Sequence, residues 1–128
     1  MGKLLFFDID GTLIECNQDI YAITDNTRIA LDKLKENGHD VFLATGRCKC
    51  FITDGVMDYP FSGYVTCNGR YIIYQDKKLH GEVLSESDLN YYQNKISKLN
   101  CGALFMSDEK AYAFNLNQKQ IEESKKEY

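Results

Sequence analysis

Asp8 and Asp10 stand two residues apart at the end of an apolar run, Leu4-Leu5-Phe6-Phe7, with Gly11-Thr12-Leu13 directly after them. An unpaired carboxylate is costly to bury. Two acids closing a strand-like segment therefore point to the crevice beyond a strand's carboxyl end, where open α/β sheets bind ligands. A carboxylate placed there can attack phosphorus and split phosphoester hydrolysis into two easier steps. The second carboxylate can protonate the leaving oxygen and later activate water. The pair also suits a hard cation such as Mg²⁺, which takes oxygen ligands. Gly11 permits a tight turn, and Thr12 can hydrogen-bond to hold it. A lone D-x-D is as readily a solvated turn; the strand before it and the Gly-Thr-Leu after it make it a candidate site.

A second group, Thr45-Gly46-Arg47, ends the apolar run Val41-Phe42-Leu43-Ala44. A hydroxyl and free backbone N–H groups at a strand end form a phosphate site, and Arg47 can add a bidentate contact to a substrate anion. On its own, Thr45 is equally a helix cap. The two strand ends gain weight because one βαβ unit sets them side by side.

The elements that must do this positioning are legible. Between the two runs lies a helix with Thr24 as N-cap. Ile29, Ala30, Leu31 and Leu34 form its apolar stripe, and Asn37-Gly38 stops it. Strand, helix and strand at this separation give parallel strands with a right-handed crossover. Residues 13–23 have mixed polarity and read as a flap or short hairpin. A short helix is expected from Arg47 to about Asp54, and a third strand from Gly63 to Cys67. Asn68-Gly69 then turns the chain. Tyr71 to Tyr74 and Leu79 to Val83 read as a hairpin around Gln75-Asp76-Lys77-Lys78. Ser85-x-x-Asp88 resembles a capping box and opens a helix to about Leu99, with Leu89, Tyr92, Ile96 and Leu99 on one face. Ala103 to Met106 and Ala111 to Phe114 form a second hairpin, and the chain from Asn117 is polar and helix-prone. The expected organisation is an α/β core over residues 1–80 and a small α+β appendage over 81–128.

The chain has 128 residues, of which 44% are hydrophobic and 27% charged, which suits one ordinary globular fold with a modest core. A net charge of −4 argues against a nucleic-acid partner. Met1-Gly2-Lys3 leads straight into a strand without a signal-peptide pattern, and no apolar run approaches the ~20 residues of a membrane span. Five cysteines cannot all pair internally; they read as reduced thiols in a cytoplasmic protein. A zinc site from Cys48, Cys50, Cys67 and His39 or His80 is the alternative. The tyrosines, Tyr91, Tyr92 and Tyr112 among them, read as core or surface, with a substrate-selecting aromatic as the sharper alternative.

The order of these motifs resembles the haloacid dehalogenase superfamily of phosphohydrolases, in particular its Cof-type branch. It runs from the apolar strand and Asp8-x-Asp10-Gly11-Thr12-Leu13, through the Thr27-Arg28 helix ending at Asn37-Gly38, to Ala44-Thr45-Gly46-Arg47 and Cys67-Asn68-Gly69. The resemblance implies a Rossmann-like parallel sheet, here incomplete, with a partial α+β cap. It implies Asp8 as nucleophile and Asp10 as general acid and base, with Mg²⁺ held by the Asp8 carboxylate and the Asp10 backbone carbonyl. Gly11, Thr12, Thr45 and Gly46 would hold phosphate, and Arg47 and Asn68 would line the substrate end. Small phosphorylated metabolites, often sugar phosphates, are the implied substrates. Two family motifs that follow the cap, a lysine and a further acidic pair, have no counterpart in context. Lys119, Lys125 and Lys126 match by residue type only, and Glu122-Glu123 sits in a charge run that reads as a solvated face. The chain thus resembles the first half of such an enzyme, with weak or no turnover expected from it. A non-catalytic phosphate- or metal-binding or assembly module is the alternative. The strand Leu4 to Phe7 is left as an open, apolar edge through which self-association is expected.

Overall fold

The computed structural model describes residues 1–124. One five-stranded sheet runs in the order β1 (Leu4–Phe7), β2 (Asp40–Ala44), β3 (Gly63–Thr66), β4 (Tyr71–Tyr74) and β5 (Lys77–Gly81). The first three strands are parallel, and the hairpin β4–β5 extends the sheet antiparallel. This is the incomplete Rossmann-like α/β sheet expected from the sequence. Beyond it come helix α3 (Glu86–Lys98), the hairpin β6 (Ala103–Met106) and β7 (Ala111–Phe114), and α4 (Gln118–Ser124).

Helix α1 (Asp25–Glu36) begins where its cap chemistry dictates, the Thr24 hydroxyl accepting from the Thr27 N–H. Leu31 is its buried anchor at 2% exposure, whereas Ile29 on the same stripe is exposed. Leu31 packs with Val41 and Leu43 of β2, and with Ile9, Leu13, Ile14 and Ile23. Fully burying each such side chain is worth roughly 1.5–3 kcal/mol. The segment read as a flap therefore supplies core residues as well. It closes on itself through paired Glu15 and Ile20 and a single 3₁₀ turn over Cys16–Gln18.

β1 is the sheet edge that the sequence left open: Leu4 and Phe6 are more than half exposed, and only its Leu5/Phe7 side faces the core. On the other face, Phe6, Phe42 and Tyr74 form an aromatic row, with centroids 5.0 and 5.5 Å apart. Gly63 makes room for it, since a Cβ there would run into the Phe42 ring. The β4–β5 turn is two residues, not four. Gln75 and Asp76 take φ of +47° and +61°, the shape of a type I′ turn, so β5 starts at Lys77. The helix expected after Arg47 is two pieces, a 3₁₀ turn over Lys49–Phe51 and α2 (Asp54–Met57).

α3 begins as its capping box requires, with Ser85 Oγ accepting from the Asp88 N–H. Its apolar face is mostly open: Leu89 and Ile96 are half-buried, while Tyr92 and Leu99 are exposed. Among the described residues no helix is long and apolar enough to cross a membrane.

Candidate active site

The register pairing Phe7 with Leu43 sets the ends of β1 and β2 side by side, so Asp8 and Thr45 each follow a parallel strand at the same edge. After Asp8 the backbone folds sharply. The Ile9 carbonyl accepts from the N–H groups of Thr12, Leu13 and Ile14 at 3.2, 2.9 and 3.1 Å, and Gly11 sits at φ +72°, in the left-handed region. Ile9, 1% exposed, pins this turn into the core while Asp8, Asp10, Gly11 and Thr12 face solvent. One Asp8 oxygen accepts from the Ile9 N–H at 2.8 Å.

Arg47 joins the two loops. Its Nε and Nη2 donate to the two carboxylate oxygens of Asp10 at 2.9 and 2.6 Å, and Nη1 donates to the Phe51 carbonyl at 2.9 Å. This fork was assigned to a substrate anion from sequence; here it holds Asp10, since a planar guanidinium matches a carboxylate as well as it matches a phosphate. Arg47 is 8% exposed, and the Asp10 hydrogen bond, with the Cys16 thiol nearby, raises its pKa further. The Thr45 hydroxyl accepts from the Arg47 N–H at 3.1 Å, which leaves its proton to donate elsewhere. No helix begins at Thr45, so the helix cap of the modest reading does not form; Thr45 instead holds the turn and is a buried donor at the strand end.

Asn68 is brought in by backbone contacts. Its N–H donates to the Thr45 carbonyl at 3.3 Å, and the Cys67 N–H to the Arg47 carbonyl at 2.8 Å. Its side-chain oxygen lies over Gly46, where an added Cβ would come within 2.9 Å of it. A side chain at 46 would therefore push the Asn68 amide aside. The turn is strained, with Cys67 at φ +51° and Asn68 at φ +55° before Gly69 at φ +88°.

The expectation of reduced thiols is overturned for two of the five cysteines. Cys48 and Cys67 form a disulfide, with Cα atoms 4.6 Å apart, and Cys16, Cys50 and Cys101 are free. Nothing in their separation of 19 residues signals the pairing; the βαβ topology creates it by bringing the ends of β2 and β3 together. The bridge also takes two of the proposed zinc ligands. Sequence reading further missed Cys16 beside Arg47, and Arg70 and Tyr71 next to Asn68, although the last two directly follow a singled-out motif.

Residues 5–128 match the haloacid dehalogenase-like hydrolase family. The chain belongs to that family. It is 24% identical over 108 residues to YkrA of Bacillus subtilis (strain 168), a phosphatase by name, covering 84% of this chain and 41% of YkrA. In fold it matches a hypothetical protein of Geobacillus kaustophilus HTA426, with TM-score 0.83, 24% identity, and coverage of all of this chain and 50% of that one. It likewise matches the sugar phosphatase BT4131, with TM-score 0.74, 23% identity, and coverage of 95% of this chain and 47% of that one. The chain spans about half the length of these relatives.

For a member of this hydrolase family, the donor set is informative. Asp8 and the Asp10 loop offer hard oxygen donors at one strand end. Mg²⁺ sites of phosphoryl-transfer enzymes use one or two carboxylates, completed by water and substrate phosphate, so these residues fit such an ion in kind. Among the described residues no three His, Cys, Asp or Glu side chains gather as a metal site. Lys119 and Glu123 pair at 3.8 Å on the exposed surface of α4, and Gln118 donates to Glu122 there; this is the solvated face expected. Lys125 and Lys126 lie outside the described residues.

Proposed function

We propose that this protein is a Mg²⁺-dependent phosphomonoesterase of small phosphorylated metabolites, acting through an aspartyl phosphate on Asp8. The observation that carries the reading is the convergence of the Asp8-x-Asp10 turn and the Thr45-Gly46-Arg47 turn at adjacent parallel strand ends, tied by the Arg47–Asp10 pair. In this reading residues 1–80 are the core and 81–128 the first part of a cap. The setting is cytoplasmic, where cellular thiols work against the Cys48–Cys67 bond. Sugar phosphates are one candidate class, in keeping with the sugar phosphatase among the structural neighbours.

Asp10, released by Arg47, takes up a proton from solvent; an Asp8 oxygen attacks phosphorus, the bond to the leaving oxygen breaks, and that oxygen receives the proton from Asp10. Water, deprotonated by Asp10, then attacks phosphorus and releases Asp8. Thr45 donates its hydroxyl proton to a phosphoryl oxygen. Arg47 is bound to Asp10 before substrate arrives, so an incoming phosphate competes for its fork, and the exchange frees Asp10 for proton transfer. Mg²⁺, held by the Asp8 carboxylate and the Asp10 carbonyl, would offset charge on the phosphoryl oxygens. Phosphoryl transfer depends on such positive charge, and Lys119 is exposed on α4 beside Glu123. Weak turnover is therefore expected from these 128 residues alone. A homo-oligomer through the open edge of β1 belongs to the same reading.

The second reading, a non-catalytic phosphate-binding module, draws on the same Arg47–Asp10 pair, which occupies the proposed acid and base. Release of 4-nitrophenol from 4-nitrophenyl phosphate, with Mg²⁺ titrated and Asp8→Asn as control, separates them. Mg²⁺-dependent turnover lost in the variant supports the enzyme. Phosphate binding without turnover at any Mg²⁺ concentration supports the module.

A further inference from the structure

A cavity of about 640 Å³ opens directly off the phosphate loop at Gly46 and Asn68. Its two ends differ in chemistry. Next to the loop stand Asn68 and Arg70, with the Tyr71 ring below them, 8% exposed. The far wall, built by the segment after β5, by α3 and by the second hairpin, is apolar at Leu84, Leu89, Leu104, Phe105, Met106 and Tyr112, with Glu82 and Ser107 as its polar groups. A sugar leaving group reaching this wall would find partners there only at Glu82 and Ser107, and each further hydroxyl set against hydrocarbon or a ring costs free energy by losing its water without gaining a partner. A flat apolar group would bury its surface there, with Tyr71 of the sheet and Phe105 and Tyr112 of the hairpin as aromatic lining to contact. Met106 adds an adaptable surface. The volume also suits a ligand larger than a monosaccharide phosphate, since pockets of roughly 300–1,000 Å³ hold drug-sized molecules.

We infer that this site selects phosphomonoesters whose leaving group is aromatic or heteroaromatic, in preference to sugar phosphates, and that Phe105 and Tyr112 are the selecting residues. The inference rests on the phosphate-site reading above. Neither ring was distinguished by the motifs; Tyr112 is the cap aromatic the sequence left open.

The test is calorimetric titration of the full 128-residue chain, in Mg²⁺, with inorganic phosphate, glucose 6-phosphate and 1-naphthyl phosphate. The expected result is at least tenfold tighter binding of the naphthyl ester than of the glucose ester. That ratio should fall below threefold in Phe105→Ser/Tyr112→Ser, with the far-UV circular dichroism unchanged. Because Phe105 also contacts Phe114, Tyr112→Ser alone, at an exposed position, serves if the double variant unfolds, with a clear drop in the ratio expected. Equal binding of the two esters, or an advantage that survives the substitutions, overturns the selectivity and leaves the phosphate site standing. Failure of inorganic phosphate to bind overturns both.

Discussion

Reducing the Cys48–Cys67 bond should cost stability and disturb the proposed phosphate site together. The bond closes a loop with a sequence separation of 19, and the chain-entropy relation for a loop of that length gives about 3 kcal/mol at 25 °C. For a chain of this size that corresponds to a fall in Tm of roughly 10 °C. There is a local cost as well. Cys67 and Asn68 both hold left-handed φ, at on the order of 1 kcal/mol for Cys67, while Asn tolerates that region, and the bridge is one of the restraints that keeps Cys67 there. Once it opens, the turn is free to relax, and Asn68 loses its fixed place over Gly46.

Scanning calorimetry with and without dithiothreitol reads the global effect, and Cys48→Ser should reproduce the reduced Tm without reductant. Alkylation of the unreduced protein should label Cys16, Cys50 and Cys101 only, and the reduced protein at all five cysteines. Phosphate affinity should weaken in parallel. Five labelled thiols in protein purified without reductant, or a Tm indifferent to both treatments, would refute the reasoning.

Tyr59 is 2% exposed and donates to Asp32 at 2.9 Å, and burial first, then that hydrogen bond, pushes its hydroxyl up to about 12. The unfolded chain releases this proton near pH 10, so stability is full below pH 10 and falls as pH rises toward 12, by on the order of 2–3 kcal/mol; urea midpoints across this range should be flatter in Tyr59→Phe, and identical pH dependences count against the assignment. The Thr66 hydroxyl, in a side chain 1% exposed, is buried with no hydrogen-bond partner among the described residues, so Thr66→Val should raise stability by about 1 kcal/mol in urea unfolding, and a loss of that size means the hydroxyl has a partner. Phe6→Lys, which charges the open edge, should convert an associated species to monomer in sedimentation velocity; a wild-type chain monomeric at high concentration ends the self-association proposal. Inorganic phosphate should bind at least tenfold more tightly in Mg²⁺ than in EDTA by calorimetry, and equal affinities would remove the case for the cation.

What the sequence disclosed follows from how local each signal is. Thr24 and Ser85 cap their helices because a hydroxyl three residues from an N–H needs nothing distant to help it. The strand-to-turn junctions at Asp8 and Thr45 were legible for the same reason. The β4–β5 turn was misjudged because Gln75 is not a residue expected at positive φ. Tertiary consequences were hidden more deeply. Neither the Cys48–Cys67 bridge nor the Arg47–Asp10 pair has a sequence signature, since each forms only after parallel strand ends are aligned. The open stripes of α1 and α3 show the converse: Ile29 and Leu99 satisfy the helical period, yet they find no cover among the described residues.

The Arg47–Asp10 pair bears on the cation more directly than the family resemblance does. Formally, Asp8, Asp10 and Arg47 leave the site at −1 before any ligand arrives. In the proposed reaction a phosphomonoester dianion brings it to −3, with Asp8 and phosphorus required to meet. Two like unit charges about 4 Å apart repel by roughly 4 kcal/mol at an effective dielectric of 20, so the approach is opposed twice over unless positive charge enters with the substrate. Arg47 cannot supply it without giving up Asp10, since both anions claim the same fork. A divalent cation returns the total to −1 and lets Arg47 move from carboxylate to phosphate without stranding Asp10 beside a second uncompensated anion. The residues at the two strand ends thus call for added positive charge on electrostatic grounds alone.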